Sequence, residues 1–167
     1  MTGPGSRIMK TEMDRHPNAH DATPEPSGPA FHKTFRNDLE DLCRAMESME
    51  SFLEENGADR DTRFSTRLSV EEIVTNILKY GYSDCEPHDI ALEIRLAPGH
   101  VVLQVADDGR EFNPLESPPP DLDSPFHDRP VGGLGVHLIK NLASRLDYVR
   151  AGDKNVLTAF IPRRPKD

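Results

Sequence analysis

Apolar positions recur along this chain with two distinct periods. Leu39, Leu42, Cys43, Met46, Met49 and Leu53 recur at helical spacing, with Asn37 or Asp38 available as N-cap and Gly57 ending the run. A second helix is predicted with Leu68, Val70, Ile73, Val74, Ile77 and Leu78 on one face, closed by Gly81. From Asp89 the period becomes two: Ile90, Leu92, Ile94 and Leu96 alternate with Ala91, Glu93 and Arg95. Pro98-Gly99 makes a turn, and Val101, Leu103 and Val105 continue the alternation to Asp107-Asp108-Gly109, which predicts a hairpin with one buried face. After Gly132-Gly133-Leu134-Gly135 a third helix is predicted, with Val136, Ile139, Leu142, Ala143 and Leu146 facing inward. A last hairpin runs from Tyr148-Val149 through a turn at Gly152-Asp153-Lys154-Asn155 to Val156–Ile161, and a short strand over Phe31–Phe35 precedes everything. The order strand, helix, helix, hairpin, loop, helix, hairpin predicts an α+β two-layer sandwich, a mostly antiparallel sheet covered on one face by helices.

Residues 1–30 are rich in Pro, Gly, Ser, Asp and His and lack apolar periodicity, so they read as a flexible tail before a domain spanning 31–162 and a short tail at 163–167. Residues 113–131 carry six prolines, which disfavours helix and strand alike; loops of that length are usually functional or mobile. The formal charge of −9 argues against a broad nucleic-acid or anionic-membrane surface, though backbone amides can still hold a phosphate. No apolar run is long enough to span a membrane, and the N-terminus lacks the apolar core of a signal peptide, which points to the cytoplasm. Cys43 and Cys85 have no CxxC spacing and read as free thiols, Cys43 on the apolar face of its helix. The histidines form no HExxH pair, so a zinc enzyme has no support.

Three features carry chemistry. Glu72 and Asn76 lie four apart on one helix face, opposite the apolar one, with Lys79 three further along. The Asn76 amide oxygen suits a hydrated cation, and the Glu72 carboxylate suits orienting or deprotonating a nucleophile. Asp107 ends a strand as a carboxylate that accepts hydrogen bonds only, which suits the exocyclic amine of adenine and rejects the carbonyl that guanine has there. Gly109 lets a backbone approach a flat base, and Phe112 can cover one side of it. Gly132-Gly133-Leu134-Gly135 opens a helix, whose free N–H groups and positive dipole end suit a phosphate chain. Neither a P-loop nor a Rossmann glycine pattern is present. Singly, these features read as a solvated helix face, an Asp-Gly turn and a glycine hinge. Together they offer contacts for metal, adenine and phosphates.

Residues 31–162 resemble the GHKL (Bergerat-fold) ATPase/kinase superfamily, specifically its small bacterial branch of anti-sigma-factor serine/threonine kinases. Glu72-Ile-Val-Thr-Asn76 resembles that branch's N box, and Asp107-Asp-Gly109-Arg-Glu-Phe112-Asn-Pro114 its first glycine box. Gly132-Gly-Leu-Gly135-Val-His-Leu-Ile-Lys-Asn141 resembles its second glycine box, and Asn155-Val-Leu-Thr158 its closing strand. The resemblance implies Glu72 as general base for a serine or threonine hydroxyl, Asn76 as Mg²⁺ ligand, and Asp107 on adenine with Thr158 nearby through a water. It places Lys79, Tyr80, Gly109, Phe112, Gly132, Gly133, Leu134, Gly135 and Val136 among the ATP contacts and makes 113–131 the ATP lid. Members of this branch phosphorylate a STAS-domain anti-sigma-factor antagonist, and many bind a sigma factor as homodimers. Tyr80 departs from the histidine of some relatives, and Glu111 replaces a glycine found in histidine kinases. A protein kinase, an ATP-gated binding module with little phosphoryl transfer, and a scaffold that no longer binds ATP all remain open at this point.

Overall fold

A capped amphipathic helix begins the helical layer. In the computed structural model, which describes residues 28–116 and 134–163, α1 spans Leu39–Glu55. The segments read above as tails over 1–27 and 164–167, and most of the proline-rich loop, lie outside the described residues. Asp38, not Asn37, caps α1: its backbone is extended and its carboxylate accepts the Asp41 N–H at 2.8 Å. Asn37 instead accepts the His88 N–H at 2.9 Å, which ties the head of α1 to the entry of the next strand. Leu42, Ala45, Met46, Met49 and Leu53 form the buried stripe. Leu39 and Cys43, expected on that stripe, are exposed instead. Gly57, at φ +71°, turns the chain out of the helix, and its N–H bonds the Glu54 carbonyl at 3.0 Å.

The second helix, α2 (Arg60–Tyr80), starts well before the apolar run that predicts it. Its first half buries Thr62, Thr66 and Ser69, which no apolar pattern registers. Such hydroxyls can be buried because they return into their own helix: Thr66 donates to the Thr62 carbonyl and Ser69 to that of Ser65, each at 2.8 Å. Val70, Ile73 and Val74 continue the buried face.

The sheet comprises β1 (Ala30–Arg36), β2 (Asp89–Ala97), β3 (His100–Asp107), β4 (Arg145–Ala151) and β5 (Lys154–Pro162), in the order β1-β2-β3-β5-β4. All neighbouring strands are antiparallel. Ile90, Leu92, Ile94, Val101, Leu103, Val105, Ala159 and Ile161 are buried against the helical layer, so one face of β2, β3 and β5 carries the core. Gly99, at φ +77°, makes the β2–β3 turn. The remaining helix, α3 (Leu134–Leu142), ends sooner than the apolar spacing suggests. Ser144 crosses to the sheet, its N–H bonding the Phe160 carbonyl at 2.8 Å, so Leu146 reaches the core from β4 and not from a helix. The two-layer α+β architecture is the one expected. Among the described residues no helix is long and apolar enough to cross a membrane.

Asp59 caps α2 by accepting the N–H groups of Asp61 and Thr62, each at 3.0 Å. The Thr62 hydroxyl, with these N–H groups, holds its carboxyl below the ordinary value. A depressed carboxyl stabilises the fold above its unfolded value of about 3.9 and stops doing so as pH falls through the folded value. Asp59→Ala should therefore cost about 1 kcal/mol in urea unfolding at neutral pH. The gap between variant and wild type should close on acidification.

Candidate nucleotide-binding site

Where the second half of α2 faces the ends of β3 and β5, the two layers leave a cavity of about 290 Å³. Its walls are largely apolar: Ile73 and Ile77 from α2, Val105 and Leu157 from the sheet, Val136 and Ile139 from α3. A few polar groups converge on it, chiefly Asn76, Asp107, Arg110, Tyr148 and Asn155. Apolar walls with sparse polar groups suit a flat aromatic ring that must be oriented as well as buried.

Asp107, the last residue of β3, is buried at the cavity floor, 5% exposed. Its Oδ1 accepts the Gly109 N–H at 2.8 Å and the Asn155 Nδ2–H at 3.0 Å. Burial pushes its carboxyl above the ordinary value, and these two bonds, Asn155's foremost, oppose that. Gly109 is required here by space. A Cβ on it would stand 2.7 Å from Asp107 Oδ1 and 2.8 Å from the Gly81 carbonyl oxygen. That close passage lets the Arg110 N–H bond Gly81 O at 2.9 Å, joining the end of α2 to the end of β3.

Glu72 and Asn76 do not point away into solvent as their helix alone suggests. Both are half-buried and face the first turn of α3. A Cβ on Gly135 would press on the movable end of Glu72, at Oε2, and lie 3.5 Å from Asn76 Nδ2, so the first turn of α3 sits directly over this pair. The N-box pair and the second glycine segment, far apart in sequence, therefore meet at one corner of the cavity. Asn76 lines the cavity, and Glu72 stands at its rim beyond the lining.

The other expected contacts divide. Tyr80 and Phe112 line the cavity while partly exposed, and Val136 is buried in its wall. Lys79 is exposed and is not part of the lining. Leu134 begins α3, while Gly132 and Gly133 lie outside the described residues. Thr158 is a correction. It pairs with Gln104 across β3–β5 and accepts from that side chain at 3.2 Å, on the sheet face opposite the cavity. Strand alternation sends its neighbour Leu157, and then Asn155, to the cavity side instead.

Asn155 was not among the expected site residues. Within Gly152-Asp153-Lys154-Asn155 it reads as a turn residue; its sequence signals are its place at the head of the Asn155-Val-Leu-Thr158 motif and its two-residue offset from Leu157. Tyr148 and Arg150 of β4 converge on it from the other side. Behind the cavity, the His88 ring reaches Asp84 at 2.9 Å and Asp108 at 3.1 Å and stacks on Tyr82, with centroids 4.1 Å apart. The Asp84 carboxylate, with that of Asp108, raises the His88 pKa. This cluster fastens the segment after α2 to the residue following Asp107.

The donor set fits a magnesium nucleotide. Among the described residues no group of three or more His, Cys, Asp or Glu could hold a metal alone. A magnesium ion here would take the Asn76 amide oxygen and otherwise depend on phosphate and water oxygens, its usual habit.

A helical layer on an antiparallel sheet, with a buried Asp107 at the strand end and Asn76 of α2 facing Gly135 in the first turn of α3, is the arrangement of a Bergerat-type ATPase domain. The profile of the histidine kinase-like ATPase domain matches residues 35–161, and the chain belongs to that family. It is 30% identical over 96 residues to the serine/threonine-protein kinase BtrW of Bordetella bronchiseptica, covering 58% of this chain and 68% of that protein. It is also 30% identical over 102 residues to the serine-protein kinase RsbW of Bacillus cereus, covering 58% of this chain and 63% of that one. The chain thus spans about two thirds of the length of the curated relatives it matches. The crystal structure of the RsbU and RsbW domains of a Mycobacterium tuberculosis protein shares the fold, with a TM-score of 0.57 at 20% identity over 82% of this chain and 33% of that one.

Because Gly81 leaves no room for a Cβ at Gly109, Gly109→Ala should cost about 1–3 kcal/mol in urea unfolding, the usual range for overpacking. A variant as stable as wild type would contradict that contact.

Proposed function

We propose that this chain binds Mg-ATP in the Asp107 cavity and transfers the γ-phosphoryl group to a serine or threonine hydroxyl of a STAS-domain anti-sigma-factor antagonist. The observation that carries the reading is the meeting of Glu72 and Asn76 with Gly135 at the head of α3, beside the buried carboxylate. Asp107 would accept the adenine amine, and Ile73, Ile77 and Val136 would flank the ring. Asn76 would hold the magnesium ion, which draws charge from the phosphates when bound. The first turn of α3 would offer its N–H groups to the phosphate chain, with Gly132, Gly133, Leu134 and Gly135 supplying the backbone. Glu72 would take the acceptor hydroxyl's proton as that oxygen bonds to phosphorus and ADP leaves. Names and partial identities of BtrW and RsbW support the kinase reading. Sequestration of a sigma factor by a homodimer in the cytoplasm belongs to the same proposal.

One observation favours a second reading. Asn76 lines the cavity whereas Glu72 does not, so nucleotide binding could gate a partner with little phosphoryl transfer. Glu72→Gln separates the two. With radiolabelled ATP and a STAS partner, the kinase reading expects transfer to fall about a hundredfold or more. Mg-ATP affinity should stay within about threefold, since Glu72 acts on the acceptor and not on binding. Undiminished transfer in this variant would sink the role given to Glu72. Loss of transfer with full partner control retained would favour gating.

A further inference from the structure

We infer that Asn155 sets the purine preference of the pocket, by polarising Asp107 into an acceptor with one oxygen left for the base; this rests on the nucleotide reading above. Asn155 faces Asp107 across the β3–β5 pair and is 7% exposed. One end of its amide meets the Tyr148 hydroxyl at 2.8 Å, the Arg150 guanidinium at 2.9 Å and the Phe112 N–H at 3.4 Å. Guanidinium and backbone N–H groups can only donate, so that end is the oxygen. The other end meets Asp107 Oδ1 at 3.0 Å, the Arg110 carbonyl at 3.0 Å and the Gly109 carbonyl at 3.4 Å. All three accept, so that end is the nitrogen. The amide has one consistent orientation, held from both sides.

Two consequences follow for Asp107. Among the described residues its hydrogen bonds fall on Oδ1, from Gly109 and Asn155, which leaves Oδ2 for a ligand. Asn155 also opposes the burial that raises the Asp107 carboxyl. An ionised Asp107 only accepts, which selects the amine of adenine; a protonated one could donate to the carbonyl of guanine. Arg150 assists from β4 by bonding the Gly109 carbonyl at 2.9 Å, which fixes the turn that Asn155 grips. The titratable and charged groups around the pair are Tyr148 and Arg150 from β4, Asp108, Arg110 and Glu111 beyond β3, and Tyr82 beyond α2.

Asn155→Asp preserves shape but replaces the Nδ2 donor with an oxygen. Two carboxylates at that separation hold one proton between them, and the protonated form restores the donor toward Asp107 Oδ1 though not the one toward the Arg110 carbonyl. Calorimetric ATP affinity of N155D, taken as a ratio to wild type, should be highest in mild acid and fall about tenfold or more between about pH 6 and about pH 8. A loss of equal size at every pH, or none, would overturn the inference, because a merely structural role predicts no recovery in acid. Asn155→Leu gives a second readout without nucleotide: the Asp107 carboxyl, followed by ¹³C NMR, should titrate at higher pH than in wild type. An unmoved midpoint, in a wild type that does bind ATP, would sink the role of Asn155 alone. Absence of ATP binding by the wild type would sink the nucleotide reading and the purine claim with it.

Discussion

The buried carboxylate of Asp107 is the constraint around which this domain is organised. A carboxylate at the end of a strand, enclosed by apolar walls, is destabilising unless hydrogen bonds compensate its lost hydration. Here the compensation comes from the turn that follows it and from the strand beside it, through the Gly109 N–H and the Asn155 amide. Both donors require particular backbone: Gly109 because Gly81 presses on it, and Asn155 because β5 pairs with β3 in a register that sets it opposite Asp107. Fold and site are therefore one problem in this molecule.

The helical layer completes the pocket by the same logic of close approach. The end of α2 is drawn to the end of β3 by the bond from Arg110 to Gly81, and the head of α3 sits over Glu72 and Asn76 at Gly135. Gly109 marks a place where two backbones meet too tightly for a side chain, whereas Gly135 meets the movable end of Glu72. Between these contacts α2 lines the cavity with Ile73, Asn76, Ile77 and Tyr80. An apolar slot with one fixed acceptor at its floor results, with a polar corner at its rim.

How much of this was legible depended on whether the signal was periodic. The β2–β3 hairpin was plain because one face is apolar at every second residue, and α1 was plain for most of its length. The first half of α2 was hidden because Thr62, Thr66 and Ser69 satisfy their hydroxyls within the helix and so are buried while looking polar. Cys43 and Leu39 looked apolar and stayed exposed, since the stripe of α1 is narrower than its composition suggests. Leu146 matched a helical offset yet belongs to β4, because Ser144 breaks out to the sheet first. At the site, the fold gathers the motif residues Asp107, Gly109, Asn76 and Gly135 around one cavity. The motifs misled at Thr158, where strand parity decides which face a side chain takes, and the closing-strand motif includes Asn155 without giving it a role, which comes from what the fold sets around it.

The central claim is that the Asp107 carboxylate recognises adenine, and calorimetry with Mg-ATP tests it most directly on wild type and Asp107→Asn. The substitution keeps the size of the side chain while ending its acceptor-only character. The account predicts binding of one ATP per chain by wild type and about a hundredfold weaker binding by the variant, the scale of losing a hydrogen bond to a buried charge. Equal affinity in the two proteins, or wild-type binding of GTP as tight as ATP, would contradict it.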